Sequence, residues 1–473
     1  MACLAWTEGR HRHLYWNRND KLAYIARMKL LAVIVALGAF PVGLAAQPAP
    51  RTAAARTDSL SATEHAISRA VDQRAANAIA LLERLVNINS GTMNFAGVRQ
   101  VGDVLRQRLD SLGFATRWVE GAPFGRAGHL VAEHRRAGPK LLLIGHLDTV
   151  FEPTSPFQRF ERLADSTARG PGIIDMKGGD VIIVVALEAL RAAGALEKLN
   201  VSVVMHGDEE HEGKPVSLSR RDLTEAARGA YAAIGFEDGS GDVHSGVVAR
   251  RGAASWLLEV KGEAAHSSQI FKDSIGYGAI FETARILDAF RTRLSKEPYL
   301  TFNPGLALGG ARTALDAAAN KGSAEGKNNI VAERMTVQGD LRTLSPDQLK
   351  RAQATMREIV GTSLGHTSAT ITFDDGYPPM APTDGNKQLL ALYEKASRDL
   401  GLGAVLPVNP SKAGAADVSF IAGIVPMIID GVGLAGHDDH SPQETADLRS
   451  LSIRAKRAAL TLYRLSQAKP VVP

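Results

Sequence analysis

Apolar and polar positions follow two different orders along this chain. Over residues 62–112 apolar residues recur at helical spacing among several charged positions, which predicts helix. From residue 140 onward, short apolar runs at 140–144, 201–205 and 232–236 read as strands, and they alternate with helical stretches such as 179–192. Strands separated by helices predict an α/β layer with a largely parallel central sheet. A second order begins near Gly246, where 255–262, 334–342 and 369–373 read as strands and 274–294 and 346–360 as helices. That β-α-β-α-β order, with antiparallel pairing, suits an inserted α+β domain. Residues 60–246 and 376–473 would then form one discontinuous domain, and 247–375 a second. The Ala-, Gly- and Lys-rich segment 309–327 reads as a flexible loop.

The first residues break both patterns. Met28-Lys29 precede an uncharged run over 30–40, and Pro41 and the small residues Gly43-Leu44-Ala45-Ala46 follow it. This is the order of a secretory signal, with cleavage after Ala45 or Ala46. The run is short for a membrane span. The expectation is a secreted or periplasmic protein, with 1–46 as upstream extension and signal and no stable membrane association once it is removed. An uncleaved anchor and a cytosolic enzyme with a misleading hydrophobic start are the competing readings.

This segment also changes the meaning of charge. The chain of 473 residues has a formal charge of +5, but residues 1–46 hold six Lys/Arg against Glu8 and Asp20, so +4 of it sits there. The remainder is close to neutral, and a nucleic-acid partner loses its main support. Cys3, the single cysteine, lies in the same segment. Disulfides and thiolate ligands are therefore absent from the rest, and any metal must be held by His, Asp and Glu. A hydrophobic content of 45% over this length suits two globular domains with a sizeable core.

Candidate chemistry gathers in five clusters, each where an apolar run stops: GHLDTV (145–150), GPGIIDMKGG (170–179), HGDEEHEG (206–213), GFEDGS (235–240) and GHDDHSPQE (436–444). In an α/β sheet, ligands collect beyond the carboxyl ends of strands. His146 and Asp148 lie two apart and point to one side of an extended segment, so the carboxylate is placed to orient the imidazole. Asp175 precedes a glycine-containing helix start, where it would either ligate or simply cap, and the paired glycines allow close backbone approach. Glu209 and Glu210 are neighbours, so one can ligate while the other stays free to take a proton; an acidic surface loop is the plain alternative. Glu237 ends a run that would otherwise be a buried strand, a poor place for an unpaired carboxylate. In the last cluster His437 and His440 compete for one role.

Taken together the five clusters resemble the co-catalytic dizinc hydrolases, family 20 of the metallopeptidases, over roughly residues 62–465. The resemblance implies a zinc-exopeptidase-like catalytic domain with an inserted lid or dimerisation domain, and two divalent metal ions, zinc with cobalt or manganese as substitutes. It implies His146 and Glu237 as ligands of one metal, Glu210 and His440 of the other, and Asp175 as the bridge. Asp148 would support His146, and Glu209 would be the general base. His440 is preferred because Glu444 follows it by four residues, as in the family's HSxxE pattern. In the inserted domain, GEAAHSS implies that His266 stabilises the oxyanion, often across a dimer, with a structural histidine as the alternative. Asn329, Arg342 and Gly414 would contact substrate, although Ala332 replaces a usual proline and KAGAAD a usual Gly-Gly pair. The implied function is a secreted zinc carboxypeptidase acting on short peptides or N-acyl amino acids, and the family pattern includes a homodimer formed through the lid. An aminoacylase-like enzyme for non-peptide N-acyl compounds is the near alternative. A noncatalytic binding protein is the distant one, because such a protein would not need the five ligands and Glu209 together.

Overall fold

The computed structural model describes residues 60–317 and 319–468, so the signal-like segment lies outside the described residues. Its central sheet takes strands from Ala115–Glu120 (β1), Gly128–His134 (β2), Lys140–His146 (β3), Asn200–His206 (β4) and Ala230–Gly235 (β5), and ends at the short strand Ile428–Ile429. They stand in the order β1-β2-β4-β3-β5-Ile428–Ile429. The half from β4 to Ile428–Ile429 is parallel, while β1 and β2 add an antiparallel edge.

Alternation within the strands builds the layers. Leu141 and Leu143 of β3 enter one apolar cluster, Leu142 and Ile144 another, as period-two geometry requires. The first cluster is covered by helices Ala62–Asp72 (α1), Ala75–Val86 (α2), Phe95–Ser111 (α3), Gly178–Ala192 (α4) and the C-terminal Arg449–Ser466. The long helical pattern over 62–112 is thus three helices. Its breaks are written in caps: Ser61 and Glu64 form a capping box on α1, and the Asn94 side chain accepts from Gly97 N at the start of α3. The chain leaves β3 through α4 on this face, then leaves β4 through the helix Arg221–Ala227, whose Leu223 and Ala227 pack on the other face. Strand order therefore reverses around β3, and a crevice opens at the carboxyl ends of β3, β4 and β5.

A second sheet with its own core lies between Ala253 and Tyr377. Strands Ala253–Gly262 (β6), Thr301–Gly310 (β7), Arg334–Arg342 (β10) and Thr367–Tyr377 (β11) are all antiparallel, in the order β7-β10-β6-β11, with the hairpin Arg312–Asp316 (β8) and Lys321–Glu325 (β9) beside them. Helices Gly278–Leu294 (α5) and Pro346–Val360 (α6) cover one face, where buried Trp256 meets Phe290 edge-on at 6.0 Å. One expectation changes here, and one strand is added. The segment expected to be a flexible loop over 309–327 holds the β8-β9 hairpin, because small residues that give no strand signal can still pair backbones. Strand β7 carries Asn303-Pro304-Gly305, which reads as a turn; Pro304 is accommodated because β7 is an edge strand with a register shift between Pro304 and Leu306. The chain enters and leaves this sheet side by side, Arg250 and Met380 exchanging two backbone hydrogen bonds of 2.9 Å. Among the described residues no helix is long and apolar enough to cross a membrane.

Candidate metal centre

His146 is the last residue of β3, paired in register with His206 at the end of β4, and it is buried. Its Nδ1 lies 3.1 Å from the backbone carbonyl of Asp148, an acceptor, so Nδ1 carries the proton and donates inward. Nε2 then turns a lone pair toward two carboxylates, Asp175 Oδ1 at 3.0 Å and Glu237 Oε1 at 3.3 Å. The other oxygen of Asp175 is 2.9 Å from His440 Nε2, which is also 3.1 Å from Glu210 Oε2. One carboxylate thus stands between two imidazoles, each of which has a further glutamate.

Two backbone devices hold these groups. Asp175 sits where the chain turns into α4, and the glycines that follow allow the approach: a Cβ on Gly179 would lie 2.0 Å from the carbonyl oxygen of Phe236, just past β5. Below that turn, the buried Glu444 carboxylate accepts from the backbone N–H groups of Gly172 and Ile174, each at 2.9 Å, and of Asp175 at 3.3 Å. The Asp148 carboxylate does the same for the next loop, accepting from Glu209 N at 3.0 Å, Glu210 N at 3.1 Å and the Thr92 hydroxyl at 2.7 Å. Its Oδ1 also stands 3.5 Å from His146 Nδ1, so the carboxylate lies beside the imidazole, as the sequence implies, while its bonds to Glu209 N and Glu210 N anchor the glutamate loop.

The electrostatics of this cluster call for cations. Burial, then the neighbouring Asp175, pushes Glu210 up to about 8, and burial holds Glu237 at about 7. Glu209 is raised by burial and then by the Glu237 charge. His440 is pushed up to about 11 by its hydrogen bonds to Asp175 and Glu210. Glu210 Oε1 is buried without a hydrogen-bond partner among the described residues. Ligand atoms of His146, Asp175 and Glu237 lie within 4.8 Å of one another, as do those of Asp175, Asp439 and His440. A nitrogen lone pair, clustered carboxylates and an orphaned carboxylate oxygen fit divalent cations bound by N and O donors.

The sequence pattern of peptidase family M20/M25/M40 matches residues 142–464. The chain belongs to this family. Carboxypeptidase G2 of Pseudomonas sp. (strain RS-16) is 26% identical over 399 residues, covering 83% of this chain and 90% of that protein. Succinyl-diaminopimelate desuccinylase 2 of Shewanella loihica is 25% identical over 377 residues, 76% of this chain and 93% of that protein. Among solved structures, aminopeptidase PepT of Bacillus cereus superposes with a TM-score of 0.66 at 18% identity, covering 83% of this chain and 99% of its own. The YXEP protein of Bacillus subtilis, a dinuclear metal-binding M20 peptidase, gives 0.59 at 14% identity, covering 84% and 100%. These two likenesses concern the fold. This M20 protein is accordingly a hydrolase acting on amide bonds.

In this M20 chain a cleft of about 250 Å³ is lined by Asp175, Glu209, Glu210, Glu237, His440 and Gly414. Gly414 has open space around a Cβ, so no crowding demands glycine there. His437 lies outside that lining, beside Gly241 in an adjoining hollow. His266 and Asn329 lie near each other on the inserted domain, where Ser267, next to His266, donates its N–H to Asn329 O at 2.9 Å, and neither lines the cleft of this single chain. Arg342 is also outside the lining and pairs with Asp340 at 3.1 Å. Four further cleft residues have no role assigned from the sequence: Asp238 and Asp439, which lie inside two of the clusters, and Arg250 and Lys412, which lie outside all five. Asp439 stood next to His440 and was legible as part of the last cluster. Arg250 is committed to Asp430 Oδ2 at 2.7 Å and Gly414 O at 3.2 Å, whereas Lys412 makes no ion pair among the described residues.

Proposed function

We propose that this protein is a zinc-dependent exopeptidase that removes a carboxylate-bearing residue from short peptides or N-acyl amino acids. The observation that carries the reading is the Asp175 carboxylate shared between His146 and His440, with Glu209 in the same cleft. His146, Asp175 and Glu237 would hold one cation and Asp175, Glu210 and His440 the other, and such a pair polarises a scissile carbonyl and acidifies the attacking water. Among the described residues the Glu209 carboxylate makes no hydrogen bond, so it is free to take a proton and pass it to the leaving nitrogen. Its backbone is fixed by Asp148, which keeps that carboxylate aimed while Glu210 ligates. We assign the substrate carboxylate to Lys412 in place of Arg342, because Lys412 is the uncommitted cation in the cleft lining. The names of two relatives, a carboxypeptidase and a desuccinylase, support this substrate class.

Dipeptides and N-acyl amino acids with free and amidated C-termini provide the test. The free acids are expected to be turned over, with KM rising about tenfold or more on amidation, the scale of one charge-assisted contact. Equal turnover of the amidated forms would remove the exopeptidase reading and favour an amidohydrolase for other N-acyl compounds. For the last cluster, His440→Ala is expected to lose one of two metal ions and nearly all activity, while His437→Ala keeps both. The reverse pattern in elemental analysis would transfer the ligand role to His437.

Two further properties belong to this proposal. Secretion with cleavage after Ala45 or Ala46 rests on the signal-like segment, and N-terminal sequencing of the recovered mature protein checks it. Association of two copies through the inserted domain, with His266 reaching the partner's cleft, is supported by the exposed aromatic ridge of Phe271, Tyr277 and Phe281 near it.

A further inference from the structure

We propose that Tyr377 is a positioning residue that ties the inserted domain to the carboxylate of Glu209; this rests on the general-base reading of Glu209. Tyr377 is the last residue of β11, at the point where the chain returns from the second sheet to the first. Its hydroxyl donates to the backbone carbonyl of Glu209 at 2.9 Å and accepts from the Arg220 guanidinium. Arg220 is fully buried beneath the same loop. Its Nη1 and Nη2 hold Asp208 through the side chain at 2.6 Å and the backbone carbonyl at 3.0 Å, and its Nε holds Asp417 at 2.7 Å. The peptide groups of Glu209 are therefore gripped from both sides, the N–H by Asp148 and the C=O by Tyr377.

Of these partners Tyr377 alone comes from the inserted segment, and its ring is held in turn by Phe420, 4.8 Å away and steeply inclined. A shift of β11 at the hinge moves the hydroxyl and with it the carbonyl of Glu209. General-base catalysis depends on heavy-atom distances within hydrogen-bond reach, so displacement of this backbone lowers kcat and leaves substrate binding at Lys412 untouched. The ring of Tyr377 serves packing, and the hydroxyl serves positioning.

Tyr377→Phe separates the two, because the ring stays and only the hydroxyl goes. In the full-length enzyme loaded with two zinc ions, kcat is expected to fall about tenfold to a hundredfold with KM and metal content unchanged, the scale of a misplaced catalytic group. Combined with Glu209→Gln, the same substitution is expected to lower the residual rate no further, since a positioning residue acts through the group it positions. A kcat within twofold of the parent, a parallel loss of metal, or effects that multiply in the double variant would each overturn the proposal. An active Glu209→Gln single variant would instead overturn the general-base reading, so the two failures are distinct.

Discussion

Glu209→Gln yields a folded protein that retains two metal ions per chain and turns over substrate about 10²–10⁴ times more slowly, the usual contribution of a positioned acid-base group. The expectation follows from the division of work between neighbours. Glu210 lies 3.1 Å from His440 and has an orphaned buried oxygen, so it belongs with the ligands. Glu209 lines the same cleft, but among the described residues only its backbone is bonded, to Asp148 and Tyr377. The amide of Gln keeps the shape and both backbone anchors while losing the basic oxygen. Elemental analysis beside steady-state kinetics decides the matter. Loss of a metal ion in this variant would make Glu209 a ligand.

The second large effect concerns stability. Arg220→Ala is expected to cost about 3–5 kcal/mol, because it strips the partner from buried carboxylates. Asp208 and Asp417 both depend on this guanidinium, through contacts of 2.6 and 2.7 Å, and both carboxyls are held below their ordinary range, against the effect of burial, by its charge. Asp417 also binds His206 Nδ1, so one deletion unsettles β4, the Asp208 loop and the turn Asp417–Ile421 together. Urea unfolding of the purified variants measures the loss. Arg220→Lys, which keeps the charge without the planar fork, is expected to fall between parent and Ala variant. A loss below about 1 kcal/mol in the Ala variant would mean that water replaces the guanidinium and the network is solvated.

Much of the catalytic layer is legible in the sequence. Apolar runs of β3, β4 and β5 signal strands locally, and each ends in a cluster, so His146, the Glu209-Glu210 pair and Glu237 could be placed at one sheet edge from spacing alone. The choice of His440 from a four-residue spacing to Glu444 has a visible counterpart, since Glu444 binds the backbone that carries Asp175. Asp148 reads as a companion of His146 because they are close in sequence, and its Oδ1 stands 3.5 Å from that imidazole; its bonds to Glu209 and Glu210 are not legible there, because only the pairing of β3 with β4 brings those residues near. Strand β7 has no clear local signal, because Pro304 and Gly305 speak of turns, and only an edge position beside β10 makes them tolerable.

Amino-acid order settles what depends on near neighbours: the period of each apolar run, the caps of helices, and the kind of donor available once cysteine is confined to the first residues. It cannot settle pairings between residues 197 or 211 positions apart, such as Arg220 and His206 with Asp417. An arginine or aspartate carries the same local signature on a solvated surface as in a core. Burial within the folded sheet turns these residues into obligatory partners, since an unpaired charge there is too costly to keep. The ligand types were therefore present in the chain from the start, while the grip on Glu209 from both sides exists only once the two domains are folded together.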